Sequence, residues 1–238
     1  MPLEKRGKNQ MNAKKIVLFI VEGMTEQTAL SLVLSKLLED TNVRFKIVRG
    51  DITSDSKTTV QNAITKVDKQ VKEFLDRNRE FKKKDIAKVV QLVDMDGAYI
   101  DPMYITQENV TNTVYSDSGI ITSNKEDIIE RNNRKSLILN KLSTTTKISS
   151  IPYEVYYFSN NREHVFHNDN SVLTKEQKIK YAYDFEGLFH GKEIEFISFI
   201  KSSEFAVEGD YIQSWNFIKT GMNSLKRYSN FHLFFQNV

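Results

Sequence analysis

The stretch Lys15-Ile16-Val17-Leu18-Phe19-Ile20-Val21-Glu22-Gly23 decides how the chain is read. Its unbroken apolar run suits a strand buried on both faces, as in the interior of a mostly parallel sheet. An acid and a glycine close the run. From Thr25, a candidate N-cap, the spacing turns helical, with Ala29, Leu30, Val33, Leu34, Leu37 and Leu38 on one side. The same signature returns in Lys88-Val-Val-Gln-Leu-Val-Asp94-Met95-Asp96-Gly97, a second short apolar run that ends in acid.

Between these runs, Val43 to Val48 reads as another strand. After a polar loop at 50–57, Val60, Ile64, Val67, Val71, Phe74 and Leu75 mark a second amphipathic helix. Such alternation predicts an α/β fold with right-handed crossovers. Beyond Asp96 the segment from Ala98 to Tyr104 is irregular, Gly119 to Thr122 reads as a fourth strand and Lys125 to Leu142 as a helix. Val155 to Phe158 reads as a further strand, ended by Ser159-Asn160-Asn161. The expected organisation is a basic flexible tail at 1–13, an α/β core at 14–160 and a mainly helical region at 161–238 packed on the core. With three prolines, nine glycines, no repeat and no flexible linker, the two parts are expected to pack together.

A chain of 238 residues with 39% hydrophobic and 27% charged residues has the composition of one ordinary globular domain. No window approaches the roughly 18 to 20 apolar residues that cross a bilayer, so a cytoplasmic protein without a membrane partner is expected. The absence of cysteine excludes disulfides, thiolate zinc sites and cysteine nucleophiles. Any metal must then be held by oxygen or imidazole, which points to magnesium or manganese. The net charge of +3 is too slight to identify a nucleic-acid binder. Two basic groups, one within the first fifteen residues and one at Arg79, Lys82, Lys83 and Lys84, read as solvated segments.

In a parallel sheet, functional groups gather where strands end, so Glu22 and Asp94 share a crevice if their strands are neighbours. Asp96 returns to the same side, because side chains alternate along extended chain. Clustered carboxylates repel unless a cation or retained protons neutralise them. Magnesium, which favours oxygen ligands and is often held by one or two carboxylates plus substrate phosphates, is the natural partner.

Phe19-Ile-Val-Glu22-Gly23-Met-Thr-Glu26, followed by Leu92-Val-Asp94-Met-Asp96-Gly97, resembles the two signature motifs of topoisomerase-primase (TOPRIM) domains over about residues 14 to 125. The spacing from Glu22 to Glu26 is most similar to the motif in OLD-type nucleases and small bacterial defence proteins. Phe158-Ser-Asn160-Asn-Arg-Glu163-His164 is loosely similar to an element of RloB-like members. The resemblance implies a TOPRIM, Rossmann-like core and Mg2+ or Mn2+ bound by Glu22, Asp94 and Asp96, with Glu163 as a further ligand. It also implies metal-dependent hydrolysis of phosphodiester bonds in DNA or RNA. Glu26 is a candidate helper at the first helical turn, or simply a helix N-terminal acid. Lys226, or Arg227 beside it, is a candidate cation for the leaving phosphate, with a solvated helix end as the favoured ordinary reading. Expected partners are nucleic acid and, for an antiviral effector, a separate ATPase or sensor chain, since no ATPase region precedes the motif. A homo-oligomer is compatible with the sequence.

Other readings compete. Asp94-Met-Asp96-Gly97 also resembles the nucleophile motif of haloacid dehalogenase-like phosphatases, although there it normally opens the domain. An Asp-x-Asp also holds manganese in nucleotide-sugar glycosyltransferases, which leaves Glu22 unexplained. A TOPRIM-like sensor or binding module without turnover is the non-enzymatic alternative. Of four histidines, only His164 and His167 have a spacing that brings them together on a helix, and structural roles suit all four. Tyr99, Tyr104, Tyr156 and Tyr157 are candidates for base stacking, with core or rim positions as the ordinary reading.

Overall fold

The computed structural model describes residues 15–39, 41–47 and 51–236, so the basic tail lies outside the described residues. Strand β1 (Lys15–Val21) runs beside β2 (Thr41–Ile47) on one side and β3 (Ile86–Asp94) on the other, parallel to both. Strand β8 (Ile151–Phe158) joins β3 in parallel, and the short β7 (Lys147–Ile148) closes that edge antiparallel. The order β2-β1-β3-β8-β7 brings the carboxyl ends of four parallel strands to one side of the sheet.

Alternation along the strands divides the core in two. Ile16, Leu18 and Ile20 face helices α2 (Ala63–Arg77) and α3 (Lys125–Ser143), while Val17, Phe19 and Val21 face α1 (Met24–Leu37). Both faces of β1 are therefore apolar because both are covered. On the α1 side the chain adds α5 (Lys175–Leu188) and α6 (Glu193–Ile200), whose Phe185 and Phe196 are buried. Helices α4 (Arg162–His167) and α7 (Tyr211–Ile218), with a single turn at Phe231–Phe235, complete the predominantly helical C-terminal part. Phe166 packs edge-on against Phe158 of β8 with ring centroids 5.0 Å apart, so this part shares the core of the sheet.

Several local expectations change. Gly119–Thr122 is a strand, β6, but it pairs with β4 (Ile105–Gln107) and β5 (Val114–Ser116) in a separate small sheet over Ile100, Ile128 and Leu225. The fourth parallel strand of the main sheet is β8. Helix α1 begins after Gly23 rather than at Thr25. Gly23 has no side chain to cap with, and Glu26 reaches back instead, its Oε2 accepting the Gly23 N–H at 2.9 Å. Helix α2 begins at Ala63 and leaves Val60 in a turn, because Thr59 and Asn62 cap one another just before it. The polar loop at 50–57 buries Ile52 and Thr53, and Thr58 just after it is buried as well. Tyr156 and Tyr157 are core residues, and among the described residues no helix is long and apolar enough to cross a membrane.

Candidate functional site

Glu22 directly follows β1, and Asp94 ends β3, its neighbour. Asp96 and Gly97 then turn the chain with positive φ angles of 48° and 69°. Gly97 suits that conformation, and a Cβ there would lie 2.8 Å from Leu225 Cδ2. Helix α3 grips the turn from the side. Arg131 Nη2 donates to the Asp96 carbonyl at 2.7 Å, and Asn132 Nδ2 donates to the Gly97 carbonyl at 3.0 Å. From the other side, Asp96 N–H donates to the Asn160 carbonyl at 2.9 Å, where β8 has just ended.

Glu22, Asp94, Asp96 and Glu163 line one crevice of about 310 Å³, together with Thr113, Tyr115 and Lys178 among others. Glu26 lies beside Glu22 and Asp94 in an adjoining small cleft. A larger hollow of about 440 Å³ between α1, β2 and α2 is lined by Arg44, Lys46 and Arg77 and by no carboxylate, so the two concavities have opposite chemical character.

Two buried cations sit among the acids. Lys135 of α3 is fully buried, and its Nζ donates to Asp51 Oδ2 at 2.7 Å and to Asp96 Oδ2 at 2.6 Å. Arg162, also fully buried, donates from Nη2 to Glu163 Oε1 at 2.6 Å and holds Nε 3.6 Å from Glu26 Oε1. Its backbone N–H donates to Asp94 Oδ1 at 3.1 Å. Glu22 Oε1 is buried and has no hydrogen-bond partner among the described residues.

The electrostatics follow from these contacts. Burial, reinforced by Asp51 and Asp94, pushes the Glu22 carboxyl well above the usual carboxylate range. Burial, then Asp96, Glu26 and Glu163, does the same to Asp94. Burial acts upward on Asp51 too, but Lys135 outweighs it and holds Asp51 well below that range. In turn, burial works to lower the Lys135 ammonium, and Asp51 and Asp96 hold it above the ordinary lysine value. Lys135 is thus a fixed positive charge.

The four acids of the crevice offer carboxylate oxygens, which suit magnesium or manganese, beside the hydroxyls of Thr113, Tyr115 and Ser171 and the ammonium of Lys178. Among the described residues, however, no three acidic or histidine side chains are disposed as ready ligands of one ion. Asp96 and Glu163 are instead held by Lys135 and Arg162.

Lys226, the candidate cation from sequence, is exposed and makes no ion pair among the described residues. Its carbonyl accepts a hydrogen bond from Ser159 Oγ. Arg227 pairs with Glu204 at 2.8 Å. The cation that enters the site is Lys135, and the sequence reading also missed Asp51 and Arg162. A signal for Lys135 was present: in the buried stripe Ile128, Asn132, Lys135, Ile138, Leu139, Leu142 of α3, two polar residues interrupt an apolar series. His167 stacks on Tyr181 with centroids 4.3 Å apart, and His164 lies 4.0 Å from Asp117, neither against the carboxylates.

No model of a known protein family, no curated protein and no solved structure matches the chain.

Proposed function

We propose that the chain is a metal-dependent nuclease with a TOPRIM-like core. It would hydrolyse phosphodiester bonds in DNA or RNA with Mg2+ or Mn2+ held against Glu22 and Asp94, and with Asp96 and Glu163 on the same wall. The observation that carries this reading is the meeting of carboxylates from adjacent parallel strand ends in one open crevice, where Glu22 Oε1 is buried with no partner among the described residues. The acids offer oxygen donors, as a hard divalent ion prefers. Such an ion, when bound, polarises a phosphate oxygen and lowers the pKa of a bound water. The chain supplies orientation: the Arg162 N–H fixes Asp94, Lys135 fixes Asp96, and Glu26 braces the turn that carries Glu22. A role as an antiviral effector with a separate ATPase or sensor chain rests on the motif resemblance alone.

A second reading, a binding module without turnover, draws on Lys135 and Arg162, since acids neutralised by the protein's own cations suit a structural site. Cleavage of supercoiled plasmid, single-stranded DNA and structured RNA by wild type, Glu22→Gln and Asp94→Asn separates the two readings, with magnesium, manganese or EDTA present. The nuclease reading expects metal-dependent cutting that both substitutions abolish. Nucleic-acid binding without cutting, or cutting that survives in Asp94→Asn, sinks it.

A further inference from the structure

Six acidic side chains gather at this edge of the sheet, and they divide unequally between the two buried cations. Lys135 takes Asp51 and Asp96. Arg162 takes Glu163 at hydrogen-bond distance and Glu26 slightly further off. Among the described residues neither cation lies at ion-pair distance from Glu22 or Asp94, although the Lys135 charge still favours the ionised form of both. Asp94 accepts a backbone N–H, and one oxygen of Glu22 is buried with no donor among the described residues.

A site for two ions roughly 3.5 to 4 Å apart needs carboxylates free to reach both. Asp96 is the nearest further acid to that task, two residues beyond Asp94, yet its Oδ2 lies 2.6 Å from an ammonium. A second dication beside Asp96 would face the Lys135 charge at close range within a buried setting, where repulsion is weakly screened. Lys135 cannot swing aside easily. It is fully buried, and its two acceptors come from the 51–58 loop and the Asp96 turn, themselves fixed by Thr53 to Asp51 and by Arg131 and Asn132 to the turn. On the opposite flank, the Arg162 guanidinium occupies the space between Glu26 and Glu163.

We propose that the site takes a single divalent cation, held by Glu22 and Asp94, and that Lys135 and Arg162 are resident cations standing where further ions would otherwise sit. Both are positioning residues. This rests on the metal-dependent reading above and fixes its stoichiometry and ligands.

The test is a manganese titration of the EDTA-stripped full chain, followed by the electron paramagnetic resonance signal of free Mn2+ and by calorimetry. Wild type is expected to bind one Mn2+ per chain without a spin-coupled pair. Lys135→Met, which frees Asp51 and Asp96, is expected to rise to two, whereas Lys135→Arg, which keeps the charge, stays at one. Asp94→Asn is expected to lose the ion. Two ions in wild type overturn the inference and leave the metal-dependent reading intact; none in wild type overturns both. One ion in a folded Lys135→Met chain also overturns it. Should that variant not fold, the wild-type count and Lys135→Arg decide, the latter overturning the inference if it binds two.

Discussion

Replacing Lys135 with methionine removes a buried ammonium of similar length from between two carboxylates. Its Nζ is 2.7 Å from Asp51 and 2.6 Å from Asp96, and the Lys135 side chain is 0% exposed against 14% and 28% for its partners. Breaking a buried pair by removing one partner costs about 3–5 kcal/mol, because the other charge is left uncompensated. Here two acids are stranded, but both retain some contact with water, which keeps the figure within that range. Against a total stability of about 5–15 kcal/mol, the loss is large without abolishing the fold outright. With a urea dependence of about 2–3 kcal/mol per molar for a chain of this size, the unfolding midpoint in EDTA should fall by about 1–2.5 M. A double-mutant cycle with Asp51→Asn should return a coupling of about 2 kcal/mol or more. A loss below about 1 kcal/mol with no coupling, the behaviour of an exposed pair, would refute the claim that Lys135 is a structural charge.

Two further substitutions probe the scaffold. Gly97→Ala places a Cβ 2.8 Å from Leu225 and 3.1 Å from Ile120 at a φ of 69°, so strain and overpacking should together cost about 2 kcal/mol or more in urea unfolding. Because that turn carries Asp96, the proposed nuclease activity should fall with it; wild-type stability would contradict the described turn. Phe185→Ala empties a buried position against Phe166, Phe189 and Phe199 and should cost about 3–5 kcal/mol in one cooperative transition. A separate early transition for the C-terminal helices would show instead that they do not share the core.

The sequence made the strand ends legible for a physical reason. A strand buried on both faces has no polar residue to spare, so the acid that follows β1 and the one that ends β3 stand out. Neighbouring parallel strands then necessarily bring those acids together. Asp51 was hidden because the 50–57 stretch is polar in composition, while its burial depends on Thr53 donating twice to Asp51 and on Ile52 entering the core. The rule used for Glu22, an acid just past a parallel strand, applies equally to Asp51 after β2, and only the intervening residues obscured it. Arg162 had no such signal: its burial follows from the Asn161 cap that starts α4 beneath Asp94. The exposed Lys226 side chain agrees with the solvated reading of its segment, whose backbone passes close behind the site and accepts from Ser159. In the small sheet β6 was legible as a short apolar run, whereas β4 and β5 are strands of three residues, too short for a periodicity to register.

The distribution of charge is the strongest argument that this edge serves a purpose beyond stability. Acids follow all four parallel strands at the same edge: Asp51 after β2, Glu22 after β1, Asp94 and Asp96 at the end of β3, and Glu163 after β8. Buried ion pairs are weak contributors to stability, and well-packed apolar residues of similar volume often serve as well or better. A fold selected only to be stable gains nothing from gathering acids here and burying two cations to hold some of them apart. Glu22 and Asp94, which among the described residues have no cation at ion-pair distance, are pushed toward protonation by burial and neighbouring acids, an effect that Lys135 only partly offsets. On the proposed metal-dependent reading, a cation bound between Glu22 and Asp94 would relieve that repulsion, and Lys135 and Arg162 would confine it to the gap between two adjacent strands.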